Sequence, residues 1–187
     1  MNPSKLKVAF IDTAADVYNK KEADWLKADR NALTNVGFTI TDYSLVNKTK
    51  EDLIKDLKKF DVFFVSGGNT FYLLEKANKS GFTDLIKEDY FKNKIYVGSS
   101  AGSVLLSNNI DAIKFLDDPK KASLDNYDGA GIFDFTIFPH WGSKKFKEKY
   151  LKATEYAYAN IISALLLADN QYLLFSKNKF SLISALN

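Results

Sequence analysis

Gly98-Ser99-Ser100-Ala101-Gly102 sets a serine midway between two glycines, after one apolar run and before another. That is the spacing of a nucleophile elbow, a strand-to-helix turn so tight that only small neighbours fit and the central hydroxyl projects outward. The chemistry would be attack by Ser100 Oγ on an acyl carbon, with the free N–H groups at the helix start facing the negative charge that develops. Only Ser100 is central between the glycines, so spacing selects it over Ser99. Such a hydroxyl needs a base, and His140 is the one imidazole in the chain, directly after Pro139 and the apolar Thr136-Ile137-Phe138. Gly67-Gly68-Asn69-Thr70 offers backbone N–H donors uncluttered by side chains. It suits an anion or oxyanion, or a plain turn in which Asn69 or Thr70 caps a helix. It lacks the lysine of a phosphate-binding loop, so nucleotide binding is not read into it.

The segments that hold these loops alternate in type. Residues 7–11, 38–43, 61–65, 95–97 and 136–138 read as strands, and residues 22–35, 51–59, 70–78, 84–90, 102–106 and 144–159 as helices. Trp25, Ala28, Ala32 and Leu33 form the apolar stripe of the first helix. The runs at 61–65 and 95–97 are short, apolar and bounded by turn residues, as in fully buried strands of a parallel sheet. Thr13-Ala14-Ala15 reads as a loop, residues 108–131 as a long one, and residues 161–167 as either more helix or a strand. Residues 171–175 and 180–183 flank Ser176-Lys177-Asn178-Lys179 as a closing β-hairpin. The pattern predicts an α/β fold, a mostly parallel sheet covered by helices on both faces. Ligands bind such sheets beyond the carboxyl ends of the strands, where all three loops fall.

Composition narrows the chemistry. A chain of 187 residues suits one domain over residues 1–187. The absence of cysteine excludes a disulfide scaffold, a thiolate metal site and a cysteine nucleophile. A single histidine excludes a multi-histidine metal site within one chain. The net charge of +3 is too balanced for a nucleic-acid face, and no apolar stretch approaches the roughly 18 residues of a membrane span. The N-terminus shows no hydrophobic signal core, so the expectation is a cytoplasmic protein. Arg30 is the only arginine, which leaves bidentate guanidinium recognition nearly unavailable.

Ser66-Gly67-Gly68-Asn69-Thr70-Phe71-x-Leu73-Leu74, Gly98-x-Ser100-Ala101-Gly102 and Pro139-His140, in this order, resemble the dipeptidase E (aspartyl dipeptidase)/cyanophycinase family of serine peptidases. The likeness runs from Thr13-Ala14-Ala15 to the final hairpin. It implies a flavodoxin-like α/β fold related to class I glutamine amidotransferases, with serine in place of their cysteine. It also implies Ser100 as nucleophile, His140 as base, and an acid late in the chain just before the hairpin. Asp169 stands at that place; Asp134 and Asp118, nearer His140 in sequence, compete with it. The oxyanion would be bound by the N–H of Ala101 and one from the double glycine, Gly68 before Gly67, beside Asn69 and Thr70. The implied partner is a short peptide, with no metal, organic cofactor, nucleic acid or membrane, and the protein would be a monomer or homodimer.

Two departures bear on specificity. The aspartyl dipeptidases keep an arginine beyond the histidine to hold an acidic substrate; here that stretch reads Trp141-Gly142-Ser143-Lys144-Lys145-Phe146-Lys147. Ser66 also replaces the first glycine of the family's Gly-Gly-Gly-Asn-Thr string. Hydrolysis survives both changes, whereas strict selection of N-terminal aspartate does not follow. An esterase or amidase on the same frame, and a small-ligand-binding homologue without turnover, are the competing readings.

Overall fold

A computed structural model describes residues 2–88, 92–177 and 179–185. Strands β1 (Lys7–Ile11), β2 (Thr39–Tyr43), β3 (Val62–Val65) and β4 (Ile95–Gly98) form a parallel sheet in the order β2-β1-β3-β4. Through four strands this is the order of flavodoxin-like sheets. Alternation along β1 sends Val8 and Phe10 to one face and Ala9 and Ile11 to the other. The first face is covered by α1 (Asp24–Val36), through Leu26 and Leu33. The opposite face carries the larger core, with α2 (Lys50–Leu57), α3 (Thr70–Ser80), α4 (Phe82–Lys87) and α5 (Ala101–Val104).

Two sequence expectations shift here for physical reasons. Of the apolar stripe assigned to the first helix, Trp25, Ala28 and Ala32 are exposed and Leu33 is half-buried. The inner face instead includes Arg30, whose guanidinium lies 4.1 Å over the Phe10 ring and pairs with Asp42 at 2.5 Å. A long basic side chain covers apolar surface with its stem and plane while its charge finds partners, which a polar–apolar stripe misses. The second shift concerns β4. Its inward Tyr96 packs against the larger core, but Ile95 and Val97 are 40% and 37% exposed. One helix does not span the α1 face as far as this strand.

Beyond β4 the chain builds the site's outer wall. The stretch from Asn108 to Gly131 contains 3-10 turns at Asp111–Phe115 and Pro119–Lys121, not an open loop. Strand β5 (Thr136–Phe138) pairs in parallel with β6 (Ala164–Leu166), so part of the ambiguous segment 161–167 is a strand. Between them, a 3-10 turn at Lys144–Phe146 leads into α6 (Lys147–Ala159), which buries Tyr150, Ala153 and Ala157. The chain closes in the expected hairpin, β7 (Gln171–Ser176) and β8 (Lys179–Ser184); Asn178 of its turn lies outside the described residues. The helix expected over 84–90 begins earlier, at Phe82, and residues 89–91 also lie outside them. Thr13–Ala15 forms a 3-10 turn. Among the described residues no helix is long and apolar enough to cross a membrane.

The tightest packing in this frame is between backbones. A Cβ on Gly102 would lie 2.1 Å from the Val65 carbonyl oxygen, closer than any such contact tolerates. Gly102→Ala is expected to destabilise the protein by about 3 kcal/mol, the upper range for overpacking, because backbone rather than a side-chain tip must give way. A lowered urea midpoint at unchanged m-value checks this.

Candidate active site

The elbow follows β4 directly. Ser100 adopts φ 49° and ψ −110°, a conformation that L-residues avoid and that marks stored backbone strain. The turn is braced on both sides: Tyr96 Oη donates to the Gly102 carbonyl at 2.7 Å, and Ser103 Oγ to the Gly98 carbonyl at 2.6 Å. Gly102 N donates to Ser99 O at 2.9 Å, closing the turn beneath the serine.

The double glycine at the end of β3 lies against this elbow. A Cβ on Gly67 would sit 3.2 Å from Ser100 Cβ and 3.7 Å from its Oγ. Gly68, at φ +150°, passes so near the Thr13–Ala15 turn that a Cβ there would lie 2.2 Å from the Ala14 oxygen. Asn69 N donates to that same oxygen at 2.8 Å, and the Trp25 indole N–H donates to Gly67 O at 3.3 Å. Asn69 Oδ1 caps α3 by accepting from Tyr72 N at 2.9 Å, so the capping role read from sequence is filled by Asn69. The N–H groups of Gly67, Gly68 and Ala101 donate to no partner among the described residues. The loop and the start of α5 thus keep three backbone donors unpaired near the elbow.

His140 follows β5 at φ 64°, a second strained residue at the same place. Its Nε2 stands 2.9 Å from Ser100 Oγ and its Nδ1 2.7 Å from Asp169 Oδ1. The parallel register explains the reach. Phe138 lies opposite Leu166, so the residues just past both strand ends, His140 and Asp169, meet. A carboxylate acceptor at Nδ1 fixes the proton there and leaves Nε2 to accept from the serine hydroxyl. Phe146 stacks on the imidazole at 5.2 Å and 15° between planes.

The competing acids do other work. Asp118 Oδ1 caps the turn at Pro119–Lys121 by accepting from Lys120 N at 3.0 Å, and its carbonyl accepts from Asn69 Nδ2. Asp134 is exposed and its carbonyl accepts from Asn108 Nδ2. Two carboxylates escaped the sequence reading. Asp117 Oδ2 accepts from Thr70 N at 2.9 Å and Thr70 Oγ1 at 2.5 Å, and lines a pocket with Ser100 and His140. Burial raises its pKa above the ordinary carboxyl value. Asp29 of α1 has one carboxyl oxygen buried without a partner; burial lifts its pKa to about 6, opposed by a hydrogen bond with Ser99 beside the elbow. Neither carries a motif, and both are set by contacts between distant segments that the sequence does not mark. Among the described residues no group of three or more His, Asp or Glu could hold a metal ion.

A parallel α/β sheet with a strained serine elbow and an imidazole on its hydroxyl defines a hydrolase scaffold. The chain belongs to peptidase family S51, whose family model matches residues 1–183. It is 37% identical over 152 residues to an uncharacterized peptidase of Listeria monocytogenes, covering 80% of this chain and 73% of that one. Peptidase E of Shewanella oneidensis is 33% identical over 90 residues, 46% of this chain and 36% of that protein. A crystal structure from Listeria monocytogenes, provisionally assigned to peptidase E, superposes with a TM-score of 0.88 at 28% identity over 99% of this chain and 89% of that one. The protein is therefore a serine peptidase, as the dipeptidase E resemblance implied.

The Asp29 carboxyl yields a stability prediction. Between the ordinary pKa of 3.8 and about 6, the folded state holds a proton that the unfolded state has released. Stability therefore falls as pH rises through this window, and the cost is fully present above it. Asp29→Asn is expected to stabilise the protein at pH 8 by about 1 kcal/mol, after discounting for solvent screening of a half-buried group. Its gain in Tm over the parent should vanish near pH 4.

Proposed function

We propose that the protein hydrolyses short peptides through a Ser100-His140-Asp169 triad. The observation that carries this reading is the continuous hydrogen-bonded chain from Asp169 through His140 to Ser100, at 2.7 and 2.9 Å. Ser100 Oγ attacks the peptide carbonyl as His140 Nε2 takes its proton. His140 then delivers that proton to the leaving amine, and an acyl-enzyme remains for water to cleave. Asp169 holds the imidazole tautomer and stabilises the imidazolium without itself taking the proton. The tetrahedral oxyanion falls to the N–H of Ala101 and of Gly68, where each donor contributes about 3 kcal/mol at the transition state. Gly67, Asn69 and Thr70 shape that loop. Side chains and backbone supply every step.

The substrate side chain meets no arginine. Arg30 is engaged by Asp42, Asp12 and the Phe10 ring on the α1 face. Lys144, Lys145 and Lys147 are exposed beyond His140. Mobile lysine charges in water select weakly, so specificity is broad, with a modest, salt-sensitive preference for an acidic first residue.

Ser100→Ala is expected to lower kcat/KM by about 10⁴-fold or more with Tm retained, and to abolish labelling by a fluorophosphonate. Ser99→Ala should be far milder; a dead Ser99 variant beside an active Ser100 variant would put the nucleophile at the wrong serine. A panel of dipeptides and p-nitrophenyl esters separates peptidase from esterase.

Specificity has its own test. The preference for Asp-Leu over Ala-Leu should stay below about tenfold and shrink at 1 M salt, where the Debye length is about 3 Å. A preference near a thousandfold would require a fixed cation that this reading omits.

A further inference from the structure

Ser66, which stands where the family string has its first glycine, has no task in the proposed hydrolysis. It is fully buried, and its Oγ donates to the Gly67 carbonyl at 3.3 Å. That carbonyl receives a second donor from outside the loop, the Trp25 indole N–H of α1, also at 3.3 Å. The indole is held in turn: Tyr18 meets it edge-on at 5.9 Å, and Asp29, one turn further along α1, hydrogen-bonds Ser99 beside the elbow. Two donors from different segments converge on one backbone oxygen.

The consequence lies at the other end of the same peptide. In a planar trans peptide the carbonyl and the N–H of the next residue point in opposite directions. Fixing Gly67 O therefore fixes the direction of the Gly68 N–H, which donates to no partner among the described residues. The bonds from Ser66 N to Ile11 O at 3.0 Å and from Asn69 N to Ala14 O at 2.8 Å anchor the chain on either side, but not the peptide between them. With glycine at both ends, no Cβ opposes its rotation about ψ of Gly67 and φ of Gly68. A half-turn would withdraw the N–H and put a carbonyl oxygen in its place, exchanging attraction for an oxyanion for repulsion. The two donors differ in how strongly they oppose that turn. An indole N–H only donates, so Trp25 stabilises one orientation alone. A hydroxyl also accepts, so Ser66 can bond the N–H of the reversed peptide and discriminates less.

We propose that Trp25 and Ser66 are positioning residues that lock the Gly67–Gly68 peptide with its N–H presented to the oxyanion. The inference rests on Ser100 as nucleophile and Gly68 as an oxyanion donor, and adds what holds that donor in place. It also gives Ser66 a reason to replace a glycine.

The test compares Ala-Leu with its thioamide, in which sulfur replaces the scissile carbonyl oxygen. Sulfur accepts hydrogen bonds weakly, so the kcat/KM ratio of oxygen over sulfur reads the oxyanion donors. The intrinsic reactivity of the two substrates is common to all the enzymes and cancels. Trp25→Phe keeps a ring against Tyr18 and deletes the N–H. It is expected to lower kcat on Ala-Leu about tenfold with KM within about twofold and Tm retained, the pattern of an interaction made only in the transition state. The oxygen-over-sulfur ratio should fall by about fivefold or more in Trp25→Phe and about threefold in Ser66→Ala, short of the roughly 10²–10³ lost with a donor removed outright. A ratio unchanged in Trp25→Phe overturns the proposal even where the rate falls, because packing damage slows both substrates alike. A ratio unchanged in Ser66→Ala overturns the role of Ser66. Equal turnover of the two substrates by the parent enzyme would instead overturn the oxyanion assignment, and turnover that persists in Ser100→Ala the nucleophile, so the readings fail separately.

Discussion

The close approach of two backbones, at Gly102 of α5 and the Val65 carbonyl at the end of β3, governs the geometry of the site. With a Cβ excluded at Gly102 by a 2.1 Å clash, the first turn of α5 lies directly on the strand beside it. The elbow must then turn within a few residues, and Ser100 takes the strained φ of 49°. The same approach brings Gly67 against Ser100, so two different strand ends meet at one hydroxyl. Strain of this kind persists only where surrounding bonds over-determine it. Here Tyr96, Ser103 and the Ser99 carbonyl supply those bonds.

A second constraint meets the first from the other side. The β5–β6 pair is a separate parallel ladder, and its register alone decides that His140 and Asp169 emerge together. The wall between the two halves is made by the chain from Asn108 to Gly131, which is tied down by polar anchors rather than by regular structure. Asp117 bonds Thr70, Asp118 O bonds Asn69, and the buried Glu75 of α3 accepts from Ser123 N at 3.2 Å. Buried polar groups paired in this way fix the position of an irregular segment that propensity leaves open.

The sequence was most legible where local sterics leave few options. A serine between glycines, after an apolar run, has little choice but a tight strand-to-helix turn. The uniformly apolar segment 62–65 had to be buried on both faces, and it is. It was least legible where a residue's role depends on a distant neighbour. Arg30 looks like surface charge until Phe10 and Asp42 stand beside it. Ile95 and Val97 look like core until it is seen that α1 covers only part of its face. Asp117 and Asp118 are adjacent and chemically identical; only the fold sends one to Thr70 at the pocket wall and the other to cap a turn.

The sequence by itself determined the parallel α/β class, the elbow with Ser100 at its centre, the double-glycine loop and the single available base. These follow from steric rules and from elimination within one chain. It offered Asp169 as a candidate acid only by resemblance, because no spacing rule relates residue 169 to residue 140. Tertiary structure decided what proximity alone can decide: Asp169 at Nδ1, free N–H donors of two loops beside one hydroxyl, and Asp117 and Tyr150 in the wall of the same pocket. The reason is physical. Turn geometry is set by contacts between residues a few positions apart. A catalytic constellation is set by packing between elements 30 to 70 residues apart, and that information exists only once the sheet has brought its strand ends together.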